Sequence, residues 1–204
     1  MVHPKNRWLE SISIEQLNTI WSPESEGKIM KWSDVNPEWP EEDIKLFGRG
    51  QDSGTYDYFT TEVTGKTRSS RQDYTASEDE EFLAAKIAAD KNSLGFFGIG
   101  AYHRHWDTLR LVPVDSGGGP IYPSIETASE GTYTPFTRPL YLYVKQDALQ
   151  EKPYLKPFLE HYYSNLNQWI HFTGYLPLSE AKYQQVLQTL KTATPKATTA
   201  AADR

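Results

Sequence analysis

The sequence predicts an α/β fold built on a mostly parallel sheet, and three observations predict it. Short apolar runs of strand length stand at Ile44–Phe47 and Leu94–Gly98. Between them lie two stretches whose apolar residues repeat at helical spacing, Tyr56, Phe59 and Val63, then Leu83 and Ile87. Turn and cap residues separate the runs, so strand, helix and strand alternate as crossover connections require.

Each element has a local reason. Ser13-Ile14-Glu15-Gln16 fits a capping box, and Leu17, Ile20 and Trp21 then share one helical face before Pro23 stops the run. From Ser22 to Asp43 the chain is rich in Pro, Trp and acid without a sustained period, which predicts an ordered loop whose tryptophans pack against a neighbour. The helix carrying Tyr56 is expected to end near Gly65. A second helix is expected to start at Ser77, where Glu78, Asp79, Glu80 and Glu81 crowd the positive end of the dipole. Leu109–Val114 is a further strand candidate, and Ser116–Pro123 is Gly/Pro-rich loop. Arg138–Val144, RPLYLYV, is the strongest strand candidate of all. Leu155, Phe158, Leu159, Tyr162, Tyr163 and Leu166 then form a helical stripe, and Tyr183, Val186, Leu187 and Leu190 form another behind Ser179. From Thr192 on there is neither period nor apolar content, so residues 194–204 are expected to be a disordered tail.

Composition bounds the function. With 204 residues, 38% hydrophobic and 13% aromatic, the chain can fill a core. Lys and Arg number 21 against 27 Asp and Glu, a formal charge of −6, and no basic run appears, so no nucleic-acid partner is expected. The absence of Cys removes disulfides and thiolate metal sites but does not decide the compartment. No apolar run approaches the roughly 20 residues needed to span a bilayer, and the start, MVHPKNRWLES, has no apolar core of a signal peptide.

Several constellations carry chemistry. Asp52-Ser53-Gly54-Thr55 and Asp115-Ser116-Gly117 repeat the Asp-Ser-Gly of aspartic proteases, whose two carboxylates share one proton. Against that dyad, Asp52 leads into a helical period and Asp115 into a glycine run, which suits two ordinary Asx turns. A serine nucleophile at Ser53 needs a positioned His. Among the five histidines, His103-x-His105 followed by Asp107 would suit a metal on an extended strand, but a third ligand is not evident and the segment reads as a short helix or turn. The remaining reading is an anion site. A Gly-containing turn at a helix N-terminus presents unpaired N–H groups, Ser53 and Thr55 add hydroxyls, and Arg49 could aim its guanidinium at the same oxyanion. The alternative is that Ser53 merely caps the helix while Arg49 pairs with Asp52, and spacing leaves both open.

Ordered blocks then point to a family. Arg49-x-x-x-Ser53-Gly54-Thr55, Ser70-Arg71-Gln72-Asp73-Tyr74-Thr75-Ala76-Ser77-Glu78-Asp79, Asp90-Lys91-Asn92-Ser93-Leu94-Gly95-Phe96-Phe97-Gly98, Ser129-Glu130-Gly131-Thr132-Tyr133 and Thr137-Arg138-Pro139-Leu140-Tyr141 resemble the phosphate-binding proteins of ABC-type phosphate importers. His3-Pro4-Lys5-Asn6 and Lys31-Trp32-Ser33-Asp34-Val35 are similar to that family's entry into its second lobe, and the likeness runs from about Val2 to near Leu190. Several blocks in order are far more specific than any one motif.

The resemblance implies a periplasmic-binding-protein-like (type II) fold of two α/β lobes with phosphate between them. It implies that Ser53, Gly54 and Thr55 donate hydrogen bonds to inorganic phosphate and that Arg49 pairs with it, with no reaction, cofactor or metal. Arg71 and Ser77 match blocks near the cleft without an expected direct contact. Where relatives carry an Asp two residues after the arginine and salt-linked to it, this chain has Gln51, leaving Arg49 freer or less well oriented. Mapped onto the family, residues 1–136 are the second lobe, 137–193 are a return strand and C-terminal helices of the incomplete first lobe, and most of that first lobe, with its export signal and acceptor carboxylate, would precede Met1. The expected partners are phosphate and the membrane subunits of an ABC transporter, and a full-length parent would be periplasmic or held at the cell surface. An aspartic-type hydrolase using Asp52 and Asp115, or a remnant that binds nothing, is the alternative. With its first lobe incomplete, the stripe at Leu155, Phe158, Leu159 and Tyr162 is expected to expose an apolar patch.

Overall fold

The computed structural model describes residues 1–193, so the tail expected at 194–204 lies outside the described residues. The chain divides into two compact units, Met1–Arg138 and Pro139–Arg204.

In the first unit, strand β1 (Ile12–Ser13) runs into helix α1 (Ile14–Trp21). The capping box forms as the sequence predicts: Ser13 Oγ accepts from the Gln16 N–H at 3.2 Å, and Gln16 Oε1 accepts from the Ser13 N–H at 2.9 Å. Leu17, Ile20 and Trp21 are the buried face of α1. The loop to Asp43 contains a 3₁₀ turn at Pro23–Ser25 and a one-turn helix, α2 (Trp32–Val35). Its tryptophans pack on Trp8: Trp32 and Trp39 have ring centroids 4.8 and 5.6 Å from it.

The site is positioned by a three-stranded parallel sheet. Strand β2 (Lys45–Gly48) lies at its centre, between β3 (Thr75–Ala76) and β4 (Ser93–Phe96). Helix α3 (Gly54–Thr64) follows β2, and α4 (Glu80–Ala89) joins β3 to β4. Helix α3 ends at Gly65, whose φ of 73° is the left-handed cap conformation that glycine adopts without strain. Gly95 on β4 is required by close packing, since a Cβ there would stand 2.4 Å from Ile87 Cδ1 and 2.8 Å from the Phe47 carbonyl oxygen. Under the sheet, Phe59 of α3 stacks on Phe96 of β4 at 3.8 Å, and Trp21 meets both edge-on at 5.4 and 5.1 Å. This aromatic centre belongs to the main apolar cluster of the unit, with Val2, Leu46, Val63, Leu94 and Val112.

Helix α4 starts two residues later than Ser77 suggests. Asp79 is its cap, Oδ1 accepting from the Glu81 and Phe82 N–H groups, while Ser77 Oγ accepts from the Asp79 N–H. Helix α5 (Ile99–Arg104) follows β4. The strand expected over Leu109–Val114 contracts to β5 (Val114–Asp115) and a bridge between Arg110 and Val2, and the loop at Ser116–Pro123 folds back as β6 (Pro120–Ile121). These form a second sheet in the order β1-β5-β6, parallel at the first pairing and antiparallel at the second. Helix α6 (Ile125–Glu130) ends on Gly131.

The second unit contains α7 (Gln146–Glu151), α8 (Leu155–Trp169), a 3₁₀ turn at Ile170–Thr173 and α9 (Glu180–Thr192). The strand expected at Arg138–Val144 is not formed. Alternation survives there: Leu142 and Val144 line an apolar groove with Leu149, Leu159, Val186 and Leu190, while Tyr141 and Tyr143 are 68% and 89% exposed. What is absent, among the described residues, is a neighbouring backbone to pair with, and a strand is defined by that pairing. On α8 Leu159 and Leu166 are buried, whereas Phe158 is 58% exposed, so the expected exposed patch is confined to part of the stripe. Among the described residues no helix is long and apolar enough to cross a membrane.

Candidate functional site

The segment Arg49–Thr55 leaves the carboxyl end of β2 and enters α3. In open parallel sheets that end of a central strand is where ligands collect, because helix N-termini and flexible turns converge there. The Ser53 N–H closes the turn by donating to the Gly50 carbonyl at 3.1 Å, and Ser53 is itself buried. Its Oγ accepts from the Thr55 N–H at 3.2 Å, so Ser53 is the cap of α3. Capping uses one lone pair of the hydroxyl and leaves its proton to donate.

Among the described residues, the Gly54 and Tyr56 N–H groups donate to no protein acceptor, and the Thr55 hydroxyl makes no hydrogen bond. These are the orphan donors of a helix start, standing at the positive end of an 11-residue helix. Tyr56 is fully buried and its hydroxyl is held by Ser70 Oγ at 2.9 Å, so the first turn of α3 is anchored from below while Gly54 faces solvent. The open donors at a helix start suit an oxyanion.

Arg49 is not left free by Gln51. Its Nε and Nη2 donate to Glu78 Oε2 at 3.1 and 2.8 Å, and its Nη1 lies 2.8 Å from Glu80 Oε1. The alternative pairing with Asp52 is also absent, and acids from the start of α4 orient the guanidinium instead. Sequence spacing could not show this, since Glu78 and Glu80 meet Arg49 only through the β2–β3 pairing, where the Ser77 N–H donates to the Gly48 carbonyl at 3.0 Å.

Arg71 is a structural residue. It is 2% exposed, donates to the Ile20 and Ile29 carbonyls, and holds Asp73 through Nε–Oδ1 and Nη2–Oδ2 contacts of 2.5 and 2.8 Å. Those hydrogen bonds, with one from the Gly27 N–H, keep the Asp73 carboxyl below the usual carboxylate range.

The other constellations disperse. Asp52 is exposed at the end of one sheet, and Asp115 ends β5 in the other, where its Oδ1 accepts from the Gly117 and Gly119 N–H groups at 2.8 and 3.0 Å. No described hydrogen bond joins the two carboxylates. His103 lies on the helix α5, and His105 at its end contacts Glu81 of α4; among the described residues no group of three or more His, Cys, Asp or Glu could hold a metal.

One residue near the turn was not singled out for the site by sequence reading. The guanidinium of Arg138 lies over Gly54, with Nη2 and Nη1 at 3.4 and 3.5 Å from where a Gly54 Cβ would stand. Its Cζ is 5.5 Å from the centre of the Tyr58 ring. The signal available was the Thr137-Arg138-Pro139 block, but no spacing rule relates it to a turn more than 80 residues earlier.

The central strand of the parallel sheet feeds the turn before α3, and Asp52 follows that sheet while Asp115 lies in the other, so the shared-proton dyad suggested by the Asp-Ser-Gly repeat is not assembled. The model of the PBP superfamily domain matches residues 1–165, and the chain belongs to that family. Among its relatives, Protein SphX of Synechocystis is 40% identical over 181 residues, covering 89% of this chain and 54% of that protein. Phosphate-binding protein PstS of Staphylococcus haemolyticus is 30% identical over 193 residues, 93% of this chain and 58% of that protein. The crystal structure of a possible phosphate binding protein from Planctomyces limnophilus superposes with a TM-score of 0.83 at 33% identity, covering 94% of this chain and 68% of that one. The chain thus spans about half the length of the curated relatives it matches.

Proposed function

We propose that this chain binds inorganic phosphate at the Arg49–Thr55 turn, as part of the substrate-binding component of an ABC-type phosphate importer. The observation that carries the reading is the start of α3, where the Ser53 and Thr55 hydroxyls and the exposed Gly54 N–H group are left to donate. Two relatives whose names or descriptions specify phosphate binding support the choice of anion. Arg49 belongs to the site with its charge shared by Glu78 and Glu80. In this reading residues 1–136 are the second ligand-binding lobe, 137–193 contribute the return segment and C-terminal helices of the first lobe, and the parent protein works outside the cytoplasmic membrane beside the importer's membrane subunits.

A cradle of donors does not require a proton on its ligand, whereas an acceptor in the site would penalise unprotonated sulfate. We therefore expect the chain to bind phosphate weakly and to discriminate poorly against sulfate. Titration calorimetry of the chain with each anion tests this. An absence of saturable phosphate binding at about 10 mM, where even about 3 kcal/mol of affinity would register, sinks the reading.

A further inference from the structure

We propose that Arg138 is the principal cation of this anion site, supplying the charge that Arg49 has already committed to Glu78 and Glu80. The proposal rests on the phosphate reading of the α3 turn and goes beyond it in naming which side chain carries the charge.

Three observations converge. First, Arg138 is in place: its guanidinium nitrogens lie within van der Waals reach of the Cβ position of Gly54, whose N–H at the helix start is open. A glycine at that point lets the planar group come close to the backbone.

Second, Arg138 is uncommitted. Among the described residues it makes no ion pair and no hydrogen bond, although its five N–H donors form the fork that fits an oxyanion in two places at once. Asp57, the acid on the adjacent turn of α3, is taken by Arg68, with Nε–Oδ1 at 2.8 Å and Nη2–Oδ2 at 3.3 Å.

Third, Arg138 is held there by a dedicated contact. The Tyr58 hydroxyl donates to the Pro135 carbonyl and, at 3.3 Å, to the Thr137 carbonyl, which ties the segment just before Arg138 to α3. The Tyr58 ring then lies beneath the guanidinium, where its negative face favours a cation. Tyr58 follows Gly54 by four residues, so both lie on one face of α3 and present Arg138 above the turn.

The test is calorimetric titration of the full chain with inorganic phosphate and with sulfate, for the wild type, R138Q, R138K and R49Q, at two ionic strengths. R138Q should weaken phosphate binding by about tenfold to a hundredfold, the loss of a charge-assisted bidentate contact, with only the small fall in thermal midpoint that losing the Tyr58 ring contact brings. R138K should recover part of that loss, since the charge returns without the fork. R49Q should weaken binding less than R138Q, and R138Q should flatten the salt dependence, which a purely structural role would leave unchanged. If the wild type binds phosphate and R138Q binds within about twofold of it, the assignment of Arg138 is overturned while the site stands. A larger loss in R49Q than in R138Q returns the role to Arg49. No binding by the wild type overturns both.

Discussion

The two Asp-Ser-Gly turns of this chain share three letters and little else. At Asp115-Ser116-Gly117 the aspartate folds back on its own loop, its carboxylate accepting from the Gly117 and Gly119 N–H groups, and both glycines take positive φ, 106° and 98°. At Asp52-Ser53-Gly54 the aspartate accepts no described hydrogen bond, the serine caps the next turn, and an 11-residue helix begins at the glycine. The first turn has closed its donors with its own charge and would repel an anion. The second leaves them open at the positive end of a helix. A turn's capacity to hold an anion therefore depends on whether its N–H groups are already satisfied, more than on which residues make it.

The largest test of this contrast is Gly54→Val. The added methyl groups would occupy the place of the Arg138 guanidinium, and phosphate affinity should fall about a hundredfold, roughly the sum of a lost charge-assisted contact and a blocked approach. Gly117→Val in the other turn should leave binding untouched and reduce stability by about 1–2 kcal/mol, because its φ of 106° strains any side chain. Calorimetry and chemical denaturation of the pair separate the two effects. Equal binding losses in both would dissolve the distinction.

Charge that is fully committed has its own signature, and Arg71 with Asp73 is the committed extreme against which Arg138 stands. Breaking a buried pair costs about 3–5 kcal/mol, and the partial exposure of Asp73 reduces the expectation for Asp73→Asn to about 2 kcal/mol near neutral pH. Asp73 is held below its ordinary range in the folded state, so its contribution is complete above the unfolded carboxylate value and disappears as pH falls through the folded one. The difference in thermal midpoint between wild type and Asp73→Asn should therefore shrink on acidification, and a gap that persists well below the carboxylate range would refute the assignment.

Ser53→Ala removes a cap and a donor together. We expect a loss of about 1 kcal/mol in stability and a further, separately measurable weakening of phosphate binding. Smallest of all should be Asp52→Asn, within about 0.5 kcal/mol of wild type in denaturation, as for surface substitutions without a hydrogen-bond partner. A large destabilisation in Asp52→Asn would show that the two turns are more alike than the hydrogen bonds indicate.

Much of the fold was legible where local chemistry and burial agree. The Ser13 capping box, the stripe of α1 and the stop at Gly65 all follow from patterns a few residues long. Arg138–Val144 misled for a definite reason: alternation and β-branched or aromatic content describe a strand's side chains, and they say nothing of whether a second backbone lies alongside. The start of α4 was misplaced by two residues because Ser77 and Asp79 are both good caps, and only the competition between them decides. In the site, Ser53, Gly54 and Thr55 could be singled out from the sequence. The partners of Arg49 could not.

What the sequence by itself determined is the turn before α3 and the periodic helices around it, since helix starts and caps of this kind are written within ten residues of themselves. Tertiary structure alone decided where the charges go. The pairing of β2 with β3 brings Glu78 and Glu80 onto Arg49, and the clasp of Tyr58 on residues 135–137 brings Arg138 over Gly54. Both are contacts between residues distant along the chain, and electrostatic interactions act through space, so no local pattern in the sequence encodes which cation is paired with an acid and which is not.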